Sequence, residues 1–127
     1  MVKHSQVESP REACGILVGR AKDNEVRVSR VCACRNVHSD PTVEYLVNPE
    51  DQVRIFEEID EDNEVELLGF YHSHPGGPNG PSQIDSSRNY WPEHLIAIVS
   101  LSPEPNVSFW KWENGRFRRQ EIVRERF

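Results

Sequence analysis

The chain has 127 residues and a formal net charge of −6 with its histidines neutral. This length suits one globular domain over residues 1–127, since domains most often hold about 100–150 residues. The acidic balance argues against nucleic-acid binding, which requires a basic face. No apolar run approaches the roughly 20 residues of a membrane-spanning helix, and the first residues lack the apolar stretch of a signal peptide. We therefore expect a cytoplasmic domain without a nucleic-acid or membrane partner.

The chain contains three cysteines, Cys14, Cys32 and Cys34, in segments that have the apolar character of buried strands. An odd number of such cysteines favours reduced thiols in the core of a cytosolic protein. Cys32 and Cys34 have a spacing that suits half of a metal site, but no second pair of cysteines completes it. We therefore assign all three thiols to packing.

The predicted elements begin with two strands near the N-terminus. Residues 13–19 form a short apolar run typical of a buried strand, and residues 26–31 alternate with period two like a half-exposed strand. Asp23 and Asn24 lie between them and favour a hairpin turn. Residues 42–47 are predicted as a third strand, which the following Asn-Pro pair ends.

A helix is predicted next in the chain. Asn48 is its expected N-cap and Pro49 its first residue, and the helix is expected to end within the acidic run of residues 57–66. Its apolar side is expected to comprise Val53, Ile55, Phe56 and Ile59.

The second half of the chain is predicted to contain a loop, a short helix and four strands. The Gly- and Pro-rich residues 75–81 can form neither a helix nor a central strand. A short helix is predicted from Ser82 to just before Pro92. The strands are predicted at residues 65–71, 94–101, 106–112 and 117–123. Because Asn-Gly is a strong hairpin signal, the last two strands should pair, and the whole order predicts one mixed α/β domain.

Two short motifs in this half can hold a metal ion. Residues i and i+2 of a strand face the same side, so His72 and His74 can converge on one ion. Ser82-x-x-Asp85 follows after a seven-residue loop, and Asp85 in the first turn of the next helix can supply a third ligand. Two histidines and one carboxylate suit zinc and leave a fourth position for water, whose pKa falls near 7 on the metal. The pattern therefore predicts a hydrolytic site.

Each part of this pattern also has an ordinary explanation. A His-x-His pair in a strand commonly occurs by chance or lies on the surface without a function, and Pro-Gly-Gly-Pro is a loop. Ser82-x-x-Asp85 alone is a plain helix N-cap with an acidic residue in the first turn. Only the combination of strand, loop and capped helix brings the ligands to one point, and that combination favours the metal site.

The combined pattern resembles a known family. His72-Ser73-His74-Pro75 and Ser82-x-x-Asp85, at their seven-residue spacing, match the signature of the JAMM (MPN+) metalloproteases, and residues 10–19 resemble the segment that carries the family's catalytic glutamate. The resemblance extends from about residue 10 to residue 100. It implies an α/β fold, namely a single mixed-sheet JAMM/MPN domain of the cytidine-deaminase-like type with flanking helices.

The resemblance also implies a role for each motif residue. His72, His74 and Asp85 correspond to the ligands of one Zn²⁺ per chain. Glu12 resembles the general base that takes a proton from the attacking water and returns it to the leaving amine. Ser82 resembles the serine that donates a hydrogen bond to the oxyanion, an interaction worth roughly 2.7–4 kcal/mol.

Several polar and aromatic residues lie outside this set of roles. Ser73 is expected to face away from the metal, since it alternates with the two histidines. The other histidines are expected to be structural or solvated, and the tryptophans are expected to pack in the core or on a sheet face. These residues are His4, His38, His94, Trp91, Trp110 and Trp112.

The family hydrolyses the amide between the C-terminal glycine of a ubiquitin-like protein and an amine. The chain resembles the short, free-standing prokaryotic form, which implies a zinc isopeptidase that releases a ubiquitin-like modifier ending in Gly-Gly from lysine or another amine. A flexible tail of this kind can lie in a groove beside a strand. One alternative is a peptidase that removes cysteine from a ubiquitin-like sulfur-carrier protein in cysteine biosynthesis. The other is a non-catalytic MPN scaffold.

One departure from the family concerns the N-terminus. Family members begin with a strand and a longer helix before the segment that carries the glutamate, whereas nine residues precede Pro10. We therefore expect the first strand and most of the first helix to be missing, either naturally or because the true start lies upstream of Met1. Their loss would expose apolar surface, which favours a homo-oligomer or an unstable monomer.

Overall fold

A computed structural model describes residues 1–23, 25–82, 85 and 94–123. Its elements are α1 (Val2–Glu8), β1 (Cys14–Lys22), β2 (Glu25–Cys34), α2 (Pro49–Glu61), β3 (Glu66–His74), β4 (Leu95–Ser100), β5 (Asn106–Glu113) and β6 (Arg116–Gln120). Within these residues the strands form one sheet in the order β2-β1-β3-β4-β5-β6. β3 and β4 are parallel and the other neighbours are antiparallel. The predicted mixed-sheet α/β fold is confirmed, and no described helix has the length and apolar character to cross a membrane.

Both predicted hairpins form. β1 and β2 pair up to the Lys22–Glu25 register, and Asp23 in their turn adopts a left-handed φ of 58°, while Asn24 lies outside the described residues. The β5–β6 turn places Asn114 at a φ of 52° and Gly115 at 79°. Two successive residues with positive φ form the turn that matches the twist of a two-residue hairpin, and Asn-Gly is the sequence that adopts it most readily.

The predicted helix α2 begins as expected. The side chain of Asn48 accepts hydrogen bonds from the amides of Glu50 and Asp51, and Pro49 is the first helical residue. Ile55 is buried, whereas Val53 is 57% exposed, so the prediction that Val53 belongs to the apolar side is wrong. Val53 precedes Ile55 by two positions, which corresponds to about 200° around a helix, so the two side chains lie almost opposite each other.

Residues 42–47 do not form the predicted strand. Of the described residues, Asn36 and Val47 form an isolated bridge there. The amide of Leu46 donates to the side-chain oxygen of Asn36 at 3.0 Å, and the Glu44 carbonyl accepts from its amide group at 3.1 Å. The Leu46 carbonyl also accepts from the Val37 amide at 2.9 Å, but the described residues form no continuous ladder here, so this segment is a loop around the Asn36 side chain.

The sheet has an apolar core on each face. On one face, Phe56 and Ile59 of α2 pack against a buried cluster; its members are Cys14, Ile16, Val18, Cys32, Cys34, Val47, Ile55 and Phe70. On the other face, Met1 next to α1 packs against Leu17, Leu68, Tyr71, Leu95 and Ala97. The helices therefore flank the sheet, and the three cysteines are free, buried core residues as predicted.

Candidate metal centre

The two motif histidines lie at the end of β3, between β1 and β4. Both are buried, with exposed fractions of 1% for His72 and 6% for His74. Their Nε2 atoms are 3.2 Å apart, and their rings meet edge to face at a centroid distance of 4.9 Å. The predicted convergence of the two imidazoles is therefore present, and it follows from the alternation of side chains along a strand.

The carboxylate of Asp85 reaches both imidazoles. Its Oδ1 lies 2.9 Å from Nε2 of His72 and its Oδ2 lies 3.2 Å from Nε2 of His74. Burial would raise the pKa of Asp85, but the hydrogen bonds from the two histidines and the backbone of Ser82 outweigh it and hold that pKa well below its usual range. Asp85 is thus an ionised carboxylate beside two ring nitrogens.

Ser82 and Asp85 hold each other through a reciprocal pair of hydrogen bonds. The amide of Ser82 donates to Oδ2 of Asp85 at 2.8 Å, and the amide of Asp85 donates to Oγ of Ser82 at 3.2 Å. This arrangement is that of a capping box, with Asp in place of the usual Glu or Gln. Asp85 is helical, while the rest of the predicted helix, residues 83–84 and 86–91, lies outside the described residues.

The loop after β3 orients the ring of His74. Nδ1 of His74 lies 3.0 Å from the carbonyl oxygen of Pro78, and because a carbonyl only accepts, Nδ1 carries a proton and Nε2 is the ring nitrogen that faces Asp85. Burial lowers the pKa of His74, but the Asp85 carboxylate outweighs it and raises that pKa overall. A histidine whose outer nitrogen donates to a carbonyl is oriented as metal-ligating histidines are.

The donor set fits a metal ion. Two imidazole nitrogens and one carboxylate meet within about 3 Å of one another, and this combination is typical of open zinc sites. Glu12 is close as well, because ligand atoms of Glu12, His72 and His74 all lie within 4.8 Å of one another. A metal at this point would therefore have a second carboxylate beside it.

Glu12 is held next to β3 by its backbone. Its amide donates to the carbonyl of Pro41 at 2.7 Å. The next residue, Ala13, donates its amide to Oγ of Ser73 at 2.7 Å and accepts from the Ser73 amide at 3.0 Å. Ser73 thus turns to Ala13 instead of joining the two imidazoles, and it ties the segment that carries Glu12 to the strand that carries the histidines.

The predicted site residues line a cavity of about 400 Å³; they are Glu12, His72, His74, Ser82 and Asp85. The loop of residues 42–45, the loop of residues 75–78 and Ile96 of β4 also line it. Tyr45 stacks on the ring of His72 at a centroid distance of 4.5 Å and an interplanar angle of 17°. Tyr45 is not among the predicted site residues, since residues 42–47 carry no part of the recognised motifs.

The histidines and tryptophans outside the motif have other surroundings. Nδ1 of His4 lies 2.8 Å from the hydroxyl of Tyr71, and Nε2 of His38 lies 3.1 Å from the Glu44 carboxylate. Trp110 donates to Oγ of Ser108 at 2.8 Å. His94 lies just before β4, Trp112 packs edge to face on Phe117, and Trp91 lies outside the described residues.

The fold and the site define a metal-dependent peptidase of the JAMM type. The family model Prok-JAB, prokaryotic homologs of the JAB domain, matches residues 1–113, and the chain belongs to this family. Membership implies a metal ion at the site, in agreement with the donor set described above.

Curated relatives point in the same direction. The chain is 34% identical to a desampylase of Haloferax volcanii over 93% of this chain and 81% of that protein. It is 34% identical to a probable TtuB-protein conjugate cleaving protease of Thermus thermophilus over 69% of this chain and 55% of that protein. It is 29% identical to a CysO-cysteine peptidase of Mycobacterium tuberculosis over 81% of this chain and 68% of that protein.

A solved structure agrees with the fold. The solution structure of protein DSY2949 from Desulfitobacterium hafniense has a TM-score of 0.85 and 27% sequence identity to this chain. The match covers 97% of this chain and 84% of that one.

Proposed function

We propose that the protein is a zinc-dependent isopeptidase that hydrolyses the amide bond between the C-terminal glycine of a ubiquitin-like modifier and a lysine or another amine. The observation that carries the proposal is the meeting of His72, His74 and Asp85 beside Glu12 in one cavity. The similarity to the desampylase and to the TtuB-protein conjugate cleaving protease supports this class of substrate. The three free, buried cysteines support a cytoplasmic location.

We assign the metal to His72, His74 and Asp85. A zinc ion held there would supply a Lewis acid and a water of lowered pKa. Asp85 is the preferred third ligand because its two oxygens contact both Nε2 atoms directly. Because Nδ1 of His74 bonds to the carbonyl of Pro78, Nε2 is the nitrogen of this ring that would bind a metal at the same place.

Glu12 and Ser82 then have the two remaining tasks. A carboxylate oxygen of Glu12 accepts a proton from the attacking water and later passes it to the nitrogen of the leaving amine. Oγ of Ser82 accepts from the Asp85 amide, so its own proton can be donated to the oxyanion that forms on the scissile carbonyl. Burial of Glu12, which is 6% exposed, keeps bulk water from competing for this proton.

The cavity supports a narrow, flexible substrate. Residues 42–45 and 75–78 line it, with Tyr45 against His72 and Pro78 against His74, and a Gly-Gly tail has no side chains that would collide with them. An extended tail of this kind can also form backbone hydrogen bonds with a neighbouring segment. The globular part of the modifier would remain outside.

A second candidate keeps the site and changes the leaving group. The 29% identity to the CysO-cysteine peptidase supports removal of cysteine from a ubiquitin-like sulfur carrier. The scaffold alternative has less support, since every motif residue is retained and the three relatives described above are named as enzymes.

The experiment compares two probes with zinc-loaded protein. The probes are TtuB joined through its C-terminal glycine to the ε-amine of a lysine peptide, and CysO carrying a C-terminal cysteine. The proposal predicts faster cleavage of the lysine conjugate and loss of cleavage with a chelator. Faster cleavage of the cysteine adduct would favour the second candidate, and no cleavage of either probe with zinc bound would overturn both.

A further inference from the structure

Asn36, two residues after β2, has a buried side chain whose hydrogen-bonding capacity is fully used. Its Oδ1 accepts from the amides of His38 and Leu46, each at 3.0 Å. Its Nδ2 donates to the carbonyl of Glu12 at 2.9 Å and to the carbonyl of Glu44 at 3.1 Å. Because amides face one end and carbonyls the other, only one orientation of this side chain satisfies all four bonds.

These bonds join two parts of the site that are distant in sequence. One is the segment that carries Glu12, whose carbonyl is bound by Asn36 and whose amide is bound by the carbonyl of Pro41. The other is the cavity wall of residues 42–45, in which Glu44 is followed by Tyr45, the residue that stacks on His72. The Asn36 side chain thus joins the backbone of Glu12 to the wall, beside the bond between the Glu12 amide and the Pro41 carbonyl.

We propose that Asn36 is a positioning residue for Glu12, holding its carboxylate in place without contacting the substrate. The proposal rests on the proposed function, in which Glu12 is the general base. A proton acceptor must lie within hydrogen-bond reach of the water it activates, and a displacement of about 1 Å can lower a rate about 10²-fold. Only Asn offers two donors and two acceptors at this reach, since Asp lacks the donors and Gln is longer by a methylene.

Two variants separate the two ends of the Asn36 side chain. Asn36→Asp keeps the shape and the acceptors for the amides of His38 and Leu46, but it removes the donors to the carbonyls of Glu12 and Glu44. Asn36→Ala removes the acceptors as well. Ser5→Ala is the matched control, because Ser5 of α1 is fully buried and donates to the carbonyl of Met1, with no bond to Glu12.

The first readout is amide hydrogen exchange, which does not depend on activity. We expect the amides of Glu12 and Ala13 to exchange at least tenfold faster in Asn36→Asp, while the amide of Ile16 in the centre of β1 keeps its rate. Equal acceleration at all three amides, or none at Glu12 and Ala13, would overturn the proposal. Ser5→Ala should leave the ratio between these sites unchanged.

The second readout is cleavage of the TtuB–lysine conjugate by zinc-loaded protein. We expect Asn36→Asp to lower kcat at least tenfold, with KM within threefold and one zinc per chain retained. Combined with Glu12→Gln it should cause no further loss, because residues that act through the same group are not additive. A kcat within twofold of wild type, or the same loss in the Glu12→Gln background, would contradict the proposal. An inactive wild type would refute the proposed function instead, and the exchange rates would still decide the role of Asn36.

Discussion

Ser73 offers the sharpest prediction about stability. It lies between the two motif histidines, yet its hydroxyl bonds to the amide of Ala13 at 2.7 Å. Ser73 is fully buried and Ala13 is 1% exposed. In Ser73→Ala, the Ala13 amide would therefore lose its acceptor at a place that water does not reach.

The expected cost follows from that geometry. A buried donor left without an acceptor costs about 1–3 kcal/mol, more than the net worth of an ordinary exposed hydrogen bond. For a chain of this size, urea unfolding has a slope of roughly 2 kcal/mol/M. The midpoint of unfolding should therefore fall by about 0.5–1.5 M urea.

Urea denaturation of the metal-free protein, followed by tryptophan fluorescence, measures this shift. Ser100→Ala is the matched control, since Ser100 is equally buried but donates to the carbonyl of Ser102. Ser102 is exposed, so a water molecule can replace the hydroxyl as the donor to that carbonyl. Its midpoint should fall by less than half as much. Equal midpoints for the two variants, or a Ser73→Ala midpoint that matches wild type, would refute the reasoning.

Two further predictions concern buried ionisable groups. Burial raises the pKa of the Cys14 and Cys34 thiols to about 12, so neither should react with a thiol reagent at pH 8 until the protein unfolds, and rapid labelling of the native protein would contradict this. Asp51 has its pKa lowered to about 2, chiefly by hydrogen bonds from the Arg35 side chain and backbone. The ionised Asp51 should therefore stabilise the fold by on the order of 1–2 kcal/mol above about pH 4, and this contribution should be lost as the pH falls towards 2. An Asp51→Asn variant that keeps the full acid sensitivity of wild type would argue against it.

Local signals in the sequence were sufficient for much of the fold. Asn-Gly predicted the β5–β6 hairpin because few other pairs accept two positive φ angles in succession. Asn48-Pro49 predicted the start of α2 for a similar reason, as the cap and the fixed φ act within three residues. The spacing of His72 and His74 predicted their convergence, since alternation along a strand is a property of the backbone.

The loop of residues 42–47 could not be predicted from local signals of this kind. A strand prediction assumes a backbone partner, but much of the hydrogen bonding of this segment goes to the side chain of Asn36, eight to ten residues away along the chain. Asn36 itself bonds to Glu12, which is 24 positions distant, and no local pattern predicts such a pairing. The one available signal was a polar residue at the end of an alternating strand, before the turn-forming Ser-Asp-Pro of residues 39–41.

The central claim is that a zinc ion held by His72, His74 and Asp85 works with Glu12 as the base. The most direct test measures bound zinc and cleavage of the TtuB–lysine conjugate in wild type, Glu12→Gln and Asp85→Asn. We predict one zinc per chain in wild type and in Glu12→Gln, with cleavage by the latter slower by about 10²–10⁴-fold, and loss of zinc in Asp85→Asn. A Glu12→Gln variant that loses its zinc while Asp85→Asn keeps it, or one that cleaves at the wild-type rate, would contradict the account.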